Sequence, residues 1–230
     1  EFLIDVYARN QFQPAWTRLE QVAELLEAIK AVETDGLNPA DYHVEQVQAG
    51  YQLLRSGEPV AADDRAELDL LFTDSLIRLG YHERFGKVNP YDLDPDWNFA
   101  RELRNRDPAL VIQEAIDADS LARYLNALFP RDELYRQLQA YLAKYGELAR
   151  AGGWPDVPEG PTLRPGDTDE RLQVLGRRLA ITGDLPPGAA VEASVYGGTL
   201  ETAGRTFQER HGRYVDGIVG PGTLRALNIT

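Results

Sequence analysis

Cysteine is absent from all 230 residues, which removes disulfides, thiolate metal sites and cysteine nucleophiles at the outset. Apolar runs are short. None approaches the ~20 consecutive residues a membrane-spanning helix needs, so no membrane contact is expected within this segment. Positive charge is in the minority, with 24 Lys and Arg against 37 Asp and Glu for a net charge of -13. Nucleic acid and anionic bilayers are repelled at long range by such a field, local basic patches apart. Strand-like alternation and fixed-period repeats are missing too. The chain opens on Glu1-Phe2-Leu3 with neither an initiator methionine nor a signal peptide, and so reads as an excised segment.

What is present has helical spacing. Thr17 with Glu20 forms a capping-box pattern, followed by Leu19, Val22, Leu26 and Ile29 on one face. Gly36 ends that helix, and Asn38-Pro39 starts a short one. A long helix is predicted from about Asp64, with Glu67 in the capping position, through Leu68, Leu71, Phe72, Leu76 and Leu79 to Gly86. Residues 87 to 107, with Pro90, Pro95, Asp92, Asp94, Asp96 and Trp97, suit an irregular loop. Asp107-Pro108 then caps and opens another helix, and further helices fit Ser120 to Phe129 and Arg131 to Arg150. In the last of these, Leu134, Leu138, Tyr141, Leu142, Tyr145 and Leu148 mark a buried face.

Gly152-Gly153-Trp154-Pro155 stops that run, and Pro155, Pro158, Pro161 and Pro165 make the following stretch stiff and extended. The predicted organisation is therefore a helical domain over 1–154, a proline-rich linker over 155–166 and a small domain over 167–230. In the small domain, helices are expected from Thr168 through Leu172, Leu175 and Leu179 to Gly183, from Gly198 through Leu200, Ala203 and Phe207 to Gly212, and from Gly220-Pro221 with Leu224 and Leu227 inward. The fold class is all-α.

The tail carries Leu163-Arg164-Pro165-Gly166-Asp167-Thr168-Asp169, then Phe207-Gln208, His211-Gly212 and Asp216-Gly217, with Gly220-Pro221 followed by Thr223. It closely resembles the three-helix peptidoglycan-binding domain. The same residues have plain structural jobs: Gly212 and Gly217 permit positive φ, Pro221 starts a helix and Phe207 fills the core. Upstream, the segment from Tyr7 to Trp16, Arg84-Phe85-Gly86-Lys87-Val88, and Tyr145 with Gly152-Gly153-Trp154-Pro155 resemble the scaffold domain of the large murein L,D-transpeptidases. That resemblance implies a periplasmic or cell-envelope location and a non-catalytic region that binds and positions peptidoglycan through its stem peptide or glycan; the alternative reading makes the scaffold a protein-interaction platform for other wall-synthesis enzymes. The resemblance also implies a catalytic domain that uses a cysteine and a histidine. A thiolate is needed for such an acyl-enzyme, and this chain has none, so no catalytic residue and no cofactor is assigned to it.

Residue by residue, the resemblance directs attention to arginines able to grip stem-peptide carboxylates. Arg164, Arg171, Arg177 and Arg178 gather around the start of the small domain, and Arg101, Arg104 and Arg106 lie near one another. Pairing with the surplus acids is the competing reading. Asp216 and Thr223 are candidate polar contacts between the apolar anchors of the motif, and Trp97 is the candidate exposed aromatic. Trp16 and Trp154 read instead as packing anchors. His43, His82 and His211 are too scattered for a metal site. Glu83 is weighed as the general acid of a carboxylate-dependent hydrolase, against a salt-bridged or solvated surface group. The Asp92, Asp94, Asp96 alternation lacks the glycine and closing glutamate of an EF-hand and suits Asx turns.

Overall fold

The computed structural model describes residues 2–96, 103, 106–128, 132–189 and 194–229. Among these residues the chain is helical, with one isolated antiparallel bridge between Leu163 and Val219 and no named strand. Two compact units are resolved, 1–142 and 143–230.

The first unit is built from α1 (Phe2–Arg9), α2 (Leu19–Ala31), α3 (Val44–Ser56), α4 (Ala62–Phe85), α5 (Pro108–Asp117), α6 (Leu121–Leu128) and the start of α7 (Glu133–Arg150). Apolar spacing sets its core. Val22, Leu25, Leu26 and Ile29 of α2 meet Phe72, Leu76 and Leu79 of α4, with Trp16, Ile116, Leu121 and Leu125 closing around them. Helix α3 approaches α4 closely because Gly50 has no side chain: a Cβ there would lie 2.6 Å from Leu68 Cδ2. Asp69 is the polar knot of the unit. It accepts hydrogen bonds from Tyr7 OH (2.7 Å) and from the backbone N–H groups of Ala15 (2.8 Å) and Trp16 (3.1 Å). The Trp16 indole N–H donates to Thr73 Oγ1 at 2.9 Å, so Trp16 is a packing anchor.

Two expected capping boxes do not form. Helix α2 begins after Arg18 and α4 after Ala61, neither with a side-chain cap. Thr17 and Glu20 are exposed; the N-terminal turn of α2 is held instead by Gln21, whose amide donates to the Ile116 carbonyl. Tertiary bonds replace the local ones. Asp107, in contrast, caps α5 as the sequence indicates, accepting from Ala109 N and Leu110 N. The Asx turns around 89–96 form as well, with Asn89 Oδ1 accepting from Tyr91 N and Asp94 Oδ1 from Asp96 N.

The second unit winds α8 (Leu172–Ile181), α9 (Gly198–Arg210) and α10 (Pro221–Leu227) around Leu172, Leu175, Leu179, Tyr196, Leu200, Phe207 and Leu227. The proline-rich stretch adds to this core. Val157 and Leu163 are buried in it; Leu163 exchanges backbone hydrogen bonds with Val219 (3.2 and 3.0 Å), and Val157 does the same with the Asn228 side chain (2.9 Å each).

The stripe expected to be the buried face of α7 is not buried. Leu134, Leu138, Tyr141 and Leu142 are exposed, Leu134 to 67%, while Tyr145 and Leu148 are half-buried. Amphipathic spacing records an apolar face without recording what covers it.

Candidate functional site

Within the second unit, the motif residues converge on the side chain of Gln208, a motif residue to which the sequence pattern assigns no contact. Gln208 Nε2 lies within hydrogen-bond distance of Asp216 Oδ1 (2.9 Å), Ile218 O (3.0 Å) and Thr223 Oγ1 (3.3 Å), and its Oε1 accepts from Gly217 N (2.9 Å). Asp216 also accepts from Ile218 N at 2.8 Å; that backbone bond, followed by the Gln208 amide, holds its carboxyl below the usual range. Thr223 donates to the Ile218 carbonyl at 3.3 Å. Asp216 and Thr223, singled out as candidate contacts, are thus engaged in closing the turn between α9 and α10. The Phe-Gln and Asp-Gly elements of the motif are partners in this one network, which buried polar groups require.

The four arginines separate into two kinds. Arg178 is 2% exposed. Its Nε donates to Leu227 O (2.7 Å), its Nη1 to Thr182 Oγ1 (3.1 Å), and its guanidinium stacks on the Trp154 ring at 4.1 Å. Thr182 passes the chain of bonds to Asp184 (2.6 Å), and Asp184 receives Arg210 in a two-bonded ion pair (3.0 and 2.7 Å). Arg210 also donates to Tyr145 OH at 2.8 Å. Trp154 is accordingly a packing anchor for a buried cation. Arg171 is buried as well. It pairs with Asp169 (2.9 and 2.7 Å) and donates to the Pro158 and Pro161 carbonyls. Its guanidinium lies so flat on the backbone that a Cβ at Gly160 would be 2.6 Å from Arg171 Cζ. Both arginines hold the structure together.

Arg164 and Arg177 are exposed, and among the described residues neither side chain has a hydrogen-bond or ion-pair partner. A second exposed group was not foreseen: Tyr214, 85% exposed in the turn between α9 and α10, beside exposed Arg213 and Val215. Its signal in the sequence is an aromatic among polar turn residues. An open cleft of about 690 Å³ runs along Pro158, Gly160, Pro161, Asp169, Arg171 and Val174. Trp97, Arg101 and Arg104 lie outside the described residues, and Arg106 pairs with Glu114.

In the first unit, His43 bonds Asp74 at 2.9 Å and His82 bonds Tyr42 at 2.9 Å; in the second, His211 lies against the Phe207 ring. Among the described residues no group of three or more His, Asp or Glu is placed to hold a metal ion. Glu83 departs from its expected role as a solvated or salt-bridged group: it is buried, and among the described residues it has no ion-pair or hydrogen-bond partner. Its position on the final turn of α4 faces inward.

Residues 1–142 match the family model described as "Scaffold domain", and residues 168–227 match "Putative peptidoglycan binding domain". Over 80 residues, 32% of this chain and 20% of the relative, the sequence is 35% identical to the N-acetylmuramoyl-L-alanine amidase CwlM of Mycobacterium tuberculosis (strain ATCC 25618 / H37Rv). Over 51 residues, 22% of this chain and 52% of the relative, it is 43% identical to a component of the Aspartyl/glutamyl-tRNA(Asn/Gln) amidotransferase of Ralstonia pickettii (strain 12J). The chain therefore spans about a fifth of one of these curated relatives and about half of the other.

Proposed function

We propose that this chain, which belongs to the scaffold-domain family, is the wall-binding and positioning region of a cell-envelope enzyme. The observation that carries this reading is the match of residues 168–227 to a peptidoglycan-binding model, on a unit whose exposed Arg164, Arg177 and Tyr214 are left over after the motif has closed its own network. Guanidinium groups suit stem-peptide carboxylates, and an exposed phenol ring suits a sugar face. The name of the amidase relative points to the same wall chemistry.

The enzyme we infer is an L,D-transpeptidase of the periplasm or cell envelope. With no cysteine, the chain lacks the thiol that reaction needs; its contribution is to raise local substrate concentration and orient it. Co-sedimentation with purified peptidoglycan tests the binding claim. The chain is expected to pellet with the wall above a control protein, and Arg164→Glu/Arg177→Glu and Tyr214→Ala variants to pellet less with unchanged melting temperature. No retention of the parent chain at low salt sinks the proposal.

A second reading makes the first unit an interaction platform for other wall-synthesis proteins. The exposed Leu134, Leu138 and Tyr141 of α7 favour it, because a contiguous apolar stripe is costly to leave in water. Pull-down from an envelope extract, compared with Leu138→Glu, separates the readings. Loss of a retained wall-synthesis protein in the variant, with wall binding intact, supports the platform.

A further inference from the structure

The first unit contains a cavity of about 380 Å³, walled by α2 and the turn after it, by the end of α4 and by α6. Small-molecule pockets begin near this size, ~300 Å³. Among the described residues its charged lining is entirely acidic: Glu24, Glu27, Asp35 and Glu83. The rest is largely apolar and small, including Ala28, Ala31, Val32 and Leu125.

Three of the four carboxylates are already partnered. Glu24 accepts from Ser120 Oγ (3.1 Å) and Ala122 N (3.0 Å), Glu27 pairs with Lys30 (3.1 Å), and Asp35 accepts from Tyr135 OH and from Gln139 Nε2 (2.7 Å). Glu83 is the exception. It is 7% exposed, lines the cavity, and among the described residues receives no hydrogen bond. A carboxylate that opens only onto a half-enclosed, largely apolar cavity is less well solvated than one in bulk water, so its charged form gains from a cation brought alongside it. Burial, and then the negative charge of Asp35, pushes its pKa up to about 7. A metal ion is poorly served, since among the described residues three ligand side chains do not converge. An organic cation is better matched, because the apolar wall can hold hydrocarbon while Glu83 meets the charge.

We propose that this cavity binds a primary ammonium group on an unbranched aliphatic stem, as a lysine-type side chain presents it, with Glu83 as counter-ion and Ala28, Ala31, Val32 and Leu125 against the stem. The site lies wholly in the first unit and does not depend on wall binding by the second.

The test titrates Nα-acetyl-lysine amide into the full chain at pH 8, where Glu83 is ionised, followed by NMR or calorimetry. Saturable binding is expected. The Nε-acetylated analogue, with the same stem and no charge, should bind about tenfold or more weakly, the order of loss when one member of a buried charge pair is removed. Glu83→Gln should weaken the free amine by a similar factor while keeping its helical circular dichroism, and Glu45→Gln, on the exposed side of α3, should leave it unchanged. Equal binding of the neutral analogue, equal binding by Glu83→Gln, or no saturable binding by the parent chain overturns the proposal. Wall retention measured on the same Glu83→Gln protein should equal that of the parent, so failure of one proposal is distinguishable from failure of the other.

Discussion

Glu83 couples the interior of the first unit to pH. Its carboxyl keeps a proton in the folded chain to about pH 7, against an ordinary 4.5, so the folded state binds more protons than the unfolded state across that interval. Stability therefore falls as pH rises from 4.5 to 7, by an amount of order 2 kcal/mol for a shift of this size. Glu83→Gln removes the penalty. In urea unfolding, the variant should gain on the parent by about 2 kcal/mol between pH 5 and pH 8; a constant difference across that range would show that Glu83 ionises normally. Asp69 is buried too, but its burial is matched by three donors. Asp69→Ala strands those donors and should cost about 3 kcal/mol or more, read as a lowered urea midpoint. Neither role was visible in the chain, because a Glu or Asp in a charge-rich helix looks the same whether it faces water or the core.

At the scale of elements, local signals succeeded where the chain supplies its own cap. Asp107-Pro108 is such a case, and Asp107→Ala should cost about 1 kcal/mol through the lost N-cap bonds, measurable as a shift in the first unit's denaturation midpoint. Helices α1 and α3 were not anticipated. Helix α3 carries a helical stripe in Val44, Val47, Tyr51 and Leu54, but it starts after His43, in a left-handed backbone conformation without a side-chain cap, so no starting residue announces it. Helix α7 shows the converse failure. Its apolar spacing is regular, yet Leu134, Leu138 and Tyr141 face solvent, because periodicity fixes which residues share a face and leaves the partner of that face undetermined. The proline-rich stretch was expected to space two domains; Val157 and Leu163 are instead tucked into the second core, their apolar side chains outweighing the stiffness of the prolines around them.

Over the whole molecule, a net charge of -13 makes any anionic wall ligand approach against a repulsive field, so the proposed attachment relies on local cations such as Arg164 and Arg177. Wall retention should then fall as sodium chloride is raised from about 50 to about 300 mM, since exposed charge contacts are screened within ~6–14 Å over that range. Retention insensitive to salt would shift the weight to Tyr214 and other uncharged contacts.

The sequence by itself determined the all-α class, the helical placement of α2, α4, α5 and α8 to α10, and the absence of a thiol nucleophile, because apolar spacing, glycine and proline placement and residue inventory are local properties. Its tail motif also carried the resemblance to a peptidoglycan-binding domain. Only the tertiary structure decided which polar groups are spent on the fold. Arg171, Arg178, Asp216 and Thr223 are engaged internally, Arg164, Arg177 and Tyr214 are exposed, and Glu83 lines a cavity with no hydrogen-bond or ion-pair partner among the described residues. Burial and hydrogen-bond partnership arise between segments far apart in the chain, and no local pattern encodes them.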